Sequence, residues 1–347
     1  MYSDSLPLLT NCTYLNTAYV GPMSTTLSEF RRKLDEDLVQ NGGDYKVRAY
    51  EALEETHEII ANFFGAYSKQ SFIVPNFSYG IRHALSFLPK KKKVLLLEED
   101  YPSLCKAFDV REFDVTIVPQ KEDIELSIKA IIETNDIEIL ALSVVQYTSG
   151  LLIDIDFLKE LKQQFPKLLI VGDGTQFLGA HPFHFSTSPF DVLVASGYKW
   201  LLAGFGNGLL FTSDYYYKFS DITPEVLYNQ IFTGHFNMLA TASLKFAIQE
   251  LERNDFMALM EQKEQLAHAV KLKLTELDYI SPWVSQRKSH SSIFSLRGGE
   301  VLYESLKKNN IKCVLRGNGV RVSFHFYNQL SDLETLVQVL NSHPKSK

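Results

Sequence analysis

Leu168-Leu169-Ile170-Val171-Gly172-Asp173-Gly174-Thr175-Gln176 and, further on, Asp191-Val192-Leu193-Val194-Ala195-Ser196-Gly197-Tyr198-Lys199-Trp200 are the two stretches that decide the fold. Each begins as a short apolar run and ends in Gly and polar residues. A run apolar on both faces and stopped by turn residues is the pattern of an interior strand of a parallel sheet. Residues just beyond such strands, here Asp173 and Lys199, converge on the crevice at the carboxyl edge of an α/β sheet, where ligands bind.

The same alternation continues outward from this pair. Strand patterns fall at 71–74, 93–97, 115–118, 137–145, 167–171, 192–195 and 207–211, with helical patterns at 79–87, 103–109, 124–133 and 157–165 between them. Residues 48–64 also carry helical periodicity, with Leu53, Ile59, Ile60 and Phe63 largely on one face. A long helical region, 238–277, is followed by strand patterns at 291–296, 311–315 and 319–325 and a closing helix at 333–340. The βα alternation predicts an α/β fold: a large domain with a mostly parallel sheet and a smaller α+β C-terminal domain. The expected segments are 1–20, associated with the small domain, 21–245 for the large domain and 246–347 for the small one.

Size and composition restrict the function. A chain of 347 residues can bury two cores. It is 45% hydrophobic and 22% charged, as a soluble enzyme is. The net charge of −6, without a basic tail, argues against nucleic acid or anionic membrane as a partner. Lys90-Lys91-Lys92-Lys93 is the one basic cluster, and it reads as a solvated turn before a strand. Cys12, Cys105 and Cys313 have no metal-type spacing and form no even-numbered framework, which fits a reducing, cytoplasmic compartment. The start Met1-Tyr2-Ser3-Asp4 lacks the basic opening of a signal peptide, and no apolar stretch approaches membrane-spanning length.

A lysine in the crevice suits Schiff-base chemistry, and an aspartate there suits holding a protonated pyridine nitrogen. Together Lys199 and Asp173 point to pyridoxal 5'-phosphate (PLP). On these two residues alone, an ordinary strand-end lysine in a solvated turn explains the pattern equally well.

The motifs between Asn16 and Asn328 resemble the class V aminotransferase family of fold-type-I PLP-dependent enzymes, which includes cysteine desulfurases and kynureninases. The likeness is densest from Val171-Gly172-Asp173-Gly174-Thr175-Gln176 through Ser196-Gly197-Tyr198-Lys199 to Gly204-Phe205-Gly206-Asn207-Gly208. It implies that Lys199 carries the cofactor and that Asp173 contacts the pyridine nitrogen. It places the phosphate cup at Pro75-Asn76-Phe77-Ser78-Tyr79-Gly80, with the N–H groups of Phe77 and Ser78 and the Ser78 hydroxyl, aided by Ser196 and Tyr198. Tyr101 takes the place of the aromatic that stacks on the ring, and Gln176 that of the partner of the phenolic oxygen.

In Gly319-Val320-Arg321-Val322-Ser323, Arg321 corresponds to the arginine that grips an amino acid's α-carboxylate. Asn16 and Tyr19 match the entry segment that lines the substrate pocket. His235 stands where the family usually has Thr, a residue that reaches the phosphate of the partner subunit's cofactor. The resemblance therefore implies a homodimer with shared active sites.

The subfamily signals are mixed. Gln176 is desulfurase-like and Tyr198 is kynureninase-like, while Tyr101 replaces the desulfurases' stacking His. The Gly/Ser-rich loop that carries the desulfurases' mobile cysteine is missing, since Cys313 lies in a predicted strand. Transamination of a small amino substrate is the leading expectation, because Lys199 alone suffices for its proton shift. A lyase or hydrolase of kynureninase or desulfurase type is the alternative, and 24 Phe and 17 Tyr leave room for an aromatic-ring pocket. A non-catalytic PLP-binding protein is the reading from another class. Intact Lys199 and Asp173 count against it.

Overall fold

The computed structural model describes residues 2–342; Met1, which opens the first expected segment, and 343–347, which close the last, lie outside the described residues. Its strands are β1 (Thr13–Tyr14), β2 (Ser71–Val74), β3 (Lys93–Leu97), β4 (Asp114–Val118), β5 (Ile139–Ser143), β6 (Leu169–Asp173), β7 (Val192–Ser196), β8 (Gly208–Thr212), β9 (Ile293–Leu296), β10 (Ile311–Lys312), β11 (Val314–Arg316) and β12 (Gly319–Ser323).

Seven of them form the central sheet in the order β2-β8-β7-β6-β5-β3-β4. Only β8 runs against its neighbours; the remaining pairs are parallel. Alternate side chains face opposite layers, as a pleated strand requires. Leu95, Leu140, Ile170 and Leu193 pack into one apolar cluster, and Val94, Ile139, Leu169 and Val192 into the other. Helices cover both faces, so β5, β6 and β7 are wholly buried. This is the mostly parallel α/β sheet that the apolar runs predict.

A third cluster unites Val270, Phe294, Leu302, Val322 and Leu336 with Leu15 from the N-terminal segment. That segment joins through β1, which pairs in parallel with β10, and through a bridge between Asn16 and Ser323. It thereby crosses from the C-terminal cluster to the mouth of the large sheet.

Some elements differ from the sequence reading. The helix expected at 48–64 is the second part of Thr25–Phe63, kinked at Gly42 with φ 45° and ψ −109°. The region 238–277 breaks into Met238–Arg253 and Phe256–Glu276, because Asp255 turns left-handed (φ 55°) and its side chain accepts from the Ala258 N–H. The strand expected at 311–315 divides at Cys313, which lies between β10 and β11 rather than in a strand. Among the described residues no helix is long and apolar enough to cross a membrane.

Candidate active site

Asp173 ends β6, and Lys199 follows β7 on the next strand of the sheet. Both are buried, at 4% and 8% exposure. Thr175 braces the aspartate: its N–H donates to Asp173 Oδ1 at 2.8 Å, and its hydroxyl accepts from the Ser196 N–H at 3.3 Å. Burial raises the Asp173 carboxyl well above the carboxylate range, against the Thr175 hydrogen bonds and the Lys199 charge. Burial likewise lowers Lys199; Asp173 opposes this, and the charges of Arg321 and Arg316 add to it. The site thus holds a lysine amine that gives up its proton easily and a carboxylate short of a positive partner.

The helix Phe77–Ser86 starts at the end of β2, beside β7. Its cap is Asn76, whose side chain accepts from the Tyr79 N–H at 2.9 Å. The Phe77 N–H donates to Ser196 Oγ at 2.9 Å, and the Ser78 hydroxyl donates to Ser103 Oγ at 2.9 Å. The Ser78 N–H has no acceptor among the described residues. Ser196 therefore ties this helix start to the strand that carries Lys199.

Tyr101 follows β3, with the Lys199 amine 5.9 Å from its ring centroid. It meets Phe77 and Tyr147 edge-on, at 5.8 and 5.5 Å between centroids. The Tyr198 ring lies 5.6 Å from the same amine and stacks on Phe205 at 4.8 Å. Gln176 is engaged within the protein. Its Nε2 donates to the Ala18 carbonyl at 2.8 Å and its Oε1 accepts from the Trp200 indole at 2.7 Å, which leaves one amide N–H for a ligand.

From the small-domain side Arg321 enters at 2% exposure. Its Nη1 donates to the Tyr147 carbonyl at 2.5 Å, while Nε and Nη2 are buried without a partner. Tyr19 is about half exposed beneath the Arg316 guanidinium, 5.4 Å from Cζ to its ring centroid. Asn16 Oδ1 is buried and unpartnered. His235 is placed elsewhere. It is exposed, its Nδ1 bonds the Tyr50 hydroxyl at 2.7 Å, and no contact joins it to Lys199 of its own chain among the described residues.

The class-V aminotransferase family model matches residues 22–336. The chain belongs to that family. No curated protein matches it by sequence. Solved structures resemble it closely in fold at low identity. A mutant of C-DES with glycine covalently linked to its PLP cofactor superposes with a TM-score of 0.86 at 15% identity, covering 97% of this chain and 98% of its own. Apo cysteine desulfurase from Thermococcus onnurineus NA1 gives 0.82 at 16%, covering 98% and 96%. Cysteine desulfurase CsdA from Escherichia coli gives 0.78 at 16%, covering 98% and 97%.

PLP is the cofactor of this class-V enzyme, and the site fits it. A free N–H at a helix start suits a phosphate. The raised Asp173 carboxyl needs a cationic partner such as a pyridinium, and Lys199 is the amine beside it. The orphaned Arg321 donors suit a carboxylate.

Four neighbours of the site escape the sequence reading. Asp100 accepts from the N–H groups of Tyr101 and Ser143, at 2.6 and 2.8 Å, and so fixes the loop that carries the Tyr101 ring. Its place just before Tyr101 at a strand end is the signal that could have found it. Trp200 adjoins Lys199 in the quoted stretch, but its bond to Gln176 shows only in the folded turn, while Tyr147 and Arg316 reach the site through tertiary packing and no sequence motif marks them.

Proposed function

We propose that this class-V enzyme is a PLP-dependent lyase that breaks a Cβ–S bond of an amino acid and releases the sulfur on a small molecule. The fold likeness to C-DES supports sulfur chemistry, and the three thiols bear on where the sulfur goes. Burial raises all three, Cys105 to about 11 and Cys313 to about 12, so none is a ready thiolate. An enzyme that parks sulfur on its own cysteine needs such a thiolate; one that expels a small-molecule persulfide does not. C-DES, which the fold resembles, is described as a cystine C–S lyase with cysteine persulfide as its product.

PLP, when bound, supplies an electron sink for the electron pair released at Cα. The chain's own residues do the rest. Arg321 grips the α-carboxylate with its two free donors and fixes the amino acid's orientation. Lys199, easily deprotonated, takes the Cα proton. Asp173 would hold a proton at the pyridine nitrogen, and Tyr101 would pack against the cofactor's ring. The Cβ–S bond then breaks, and its electron pair leaves with sulfur.

Transamination is the second reading, favoured by the absence of a further acid–base group beside Lys199 among the recognised motifs. The test is to incubate holoenzyme with L-cystine and L-cysteine. Pyruvate and persulfide, with the cofactor still in its aldehyde form, support the lyase. Stoichiometric conversion to the pyridoxamine form without pyruvate overturns it in favour of transamination.

We also propose a homodimer with shared sites. His235, Tyr50, Phe232 and Phe236 form an aromatic group beside a cavity of about 540 Å³ that reaches Val74 and Pro75, just ahead of the helix start that suits the phosphate. His235→Ala should weaken PLP retention, and sedimentation should show a dimer. An active monomer refutes this.

A further inference from the structure

β11 and β12 form a hairpin whose register pairs Val314 with Arg321 and Arg316 with Gly319. Opposed residues in an antiparallel pair point to one side, as do residues two apart on one strand. Arg316 and Arg321 therefore project from the same face as diagonal neighbours, about 7–8 Å apart at the backbone. Both charges act on Lys199, which puts that face on the lysine's side of the hairpin.

Arg316 has no carboxylate partner among the described residues. Its guanidinium lies over the Tyr19 ring, and its Nε is buried and unpartnered. Its charge is felt across the site. Arg321 is pushed down to about 10 by burial first and by Arg316 second, and Lys199 is lowered partly by the same two charges. Arg316 also borders a cavity of about 390 Å³, lined further by Thr148, Ser149, Ser295 and Arg297. Arg297 is already paired with Asp278. Glu99, the one carboxylate on that lining, forms no ion pair with Arg316. An amino acid whose α-carboxylate occupies Arg321 leaves this second guanidinium unsatisfied beside empty space.

We propose that Arg316 binds a second anionic group on the substrate's side chain, so that the preferred substrates are α-amino acids bearing an acidic group besides the α-carboxylate. The inference rests on the amino-acid reading above but not on which bond is broken. It deepens the lyase reading by setting the charge of the group carried beyond Cβ.

The test uses holoenzyme and three matched pairs of probes: L-aspartate and L-asparagine, L-glutamate and L-glutamine, O-phospho-L-serine and L-serine. Binding is read from the change in cofactor absorbance. In at least one pair the acidic member should bind tenfold tighter or better. Arg316→Gln should cut that ratio at least tenfold, and Arg316→Lys should restore part of it. Equal or weaker binding of the acidic member in all three pairs, a result that needs no variant, overturns the proposal. So does an Arg316→Gln protein that weakens acidic and neutral probes alike, which marks Arg316 as a mere support for Tyr19. A failure of the lyase reading appears separately, as absent pyruvate with these absorbance ratios intact.

Discussion

Gly21 presses against the backbone of Lys199: a Cβ on Gly21 would lie 2.1 Å from the Lys199 carbonyl oxygen and 2.6 Å from Leu202 Cδ2. The Gly21 N–H also donates to the Tyr198 carbonyl at 3.0 Å. Leu202 is itself held left-handed at φ 56°, so the turn after the lysine has little freedom to yield. Gly21→Ala should therefore displace the segment carrying the Lys199 amine. We expect a loss of about 1–3 kcal/mol, as for overpacking elsewhere, together with weaker PLP loading. Thermal denaturation and cofactor absorbance check this; a variant matching wild type in both contradicts the contact.

Among the described residues two lysines are both buried and easily deprotonated, which makes the site of covalent attachment a discriminating test. Lys263 is 1% exposed, and burial pushes it down to about 8. It belongs to the helix Phe256–Glu276, and its charge acts on His181 and His325 rather than on the groups around Asp173. Borohydride reduction followed by peptide mass spectrometry should place PLP on Lys199. Lys199→Ala should abolish the link and slow turnover roughly a thousandfold or more. Label on Lys263 would sink the assignment.

The interior strands were legible because residues such as Leu140-Ala141-Leu142 and Val192-Leu193-Val194 are apolar on both faces, a pattern few other environments produce. The helix Asp214–Ser220 is not legible in the sequence, because its run of Tyr215-Tyr216-Tyr217 has no helical period. Asp173, Lys199 and Tyr101 stand at or just past strand ends, where topology brings distant segments together. Arg316 became visible only with the hairpin register, and the commitment of Gln176 to Trp200 only with the packing of the turn. His235 carries a role assigned by resemblance, and the fold turns it away from its own chain's lysine.

Acid should expose a buried histidine. His290 places Nδ1 against the Ser291 carbonyl at 2.8 Å, while Nε2 is buried without a partner. Burial, first among the causes, pushes it down to about 4 from an ordinary 6.5. Between those values the unfolded chain binds a proton that the native one does not, so the contribution to stability falls as pH drops through this window. A difference of about 2.5 pKa units corresponds to about 3 kcal/mol at most. Urea titrations from pH 6.5 to 4 should show His290→Asn gaining on wild type by up to that amount. Parallel stability curves would refute the assignment.

The cysteines separate a lyase from a desulfurase that carries persulfide on its own chain. Cys313 sits between β10 and β11, packed against the small-domain core, and Cys105 lies within the helix Pro102–Asp109. Neither is on an extended loop able to swing toward Lys199, and the raised thiols keep sulfur protonated and weakly nucleophilic. A Cβ–S cleavage that expels sulfur on its original partner needs no thiol from the protein. Replacing Cys12, Cys105 and Cys313 with serine should leave pyruvate release from L-cystine within about a factor of two, since each change is nearly isosteric and no contact joins these side chains to Lys199 among the described residues. Folding of the variant is checked by its cofactor absorbance. A well-folded triple variant that loses sulfur release a hundredfold would show that a protein thiol takes part, and would return the enzyme to the desulfurase reading.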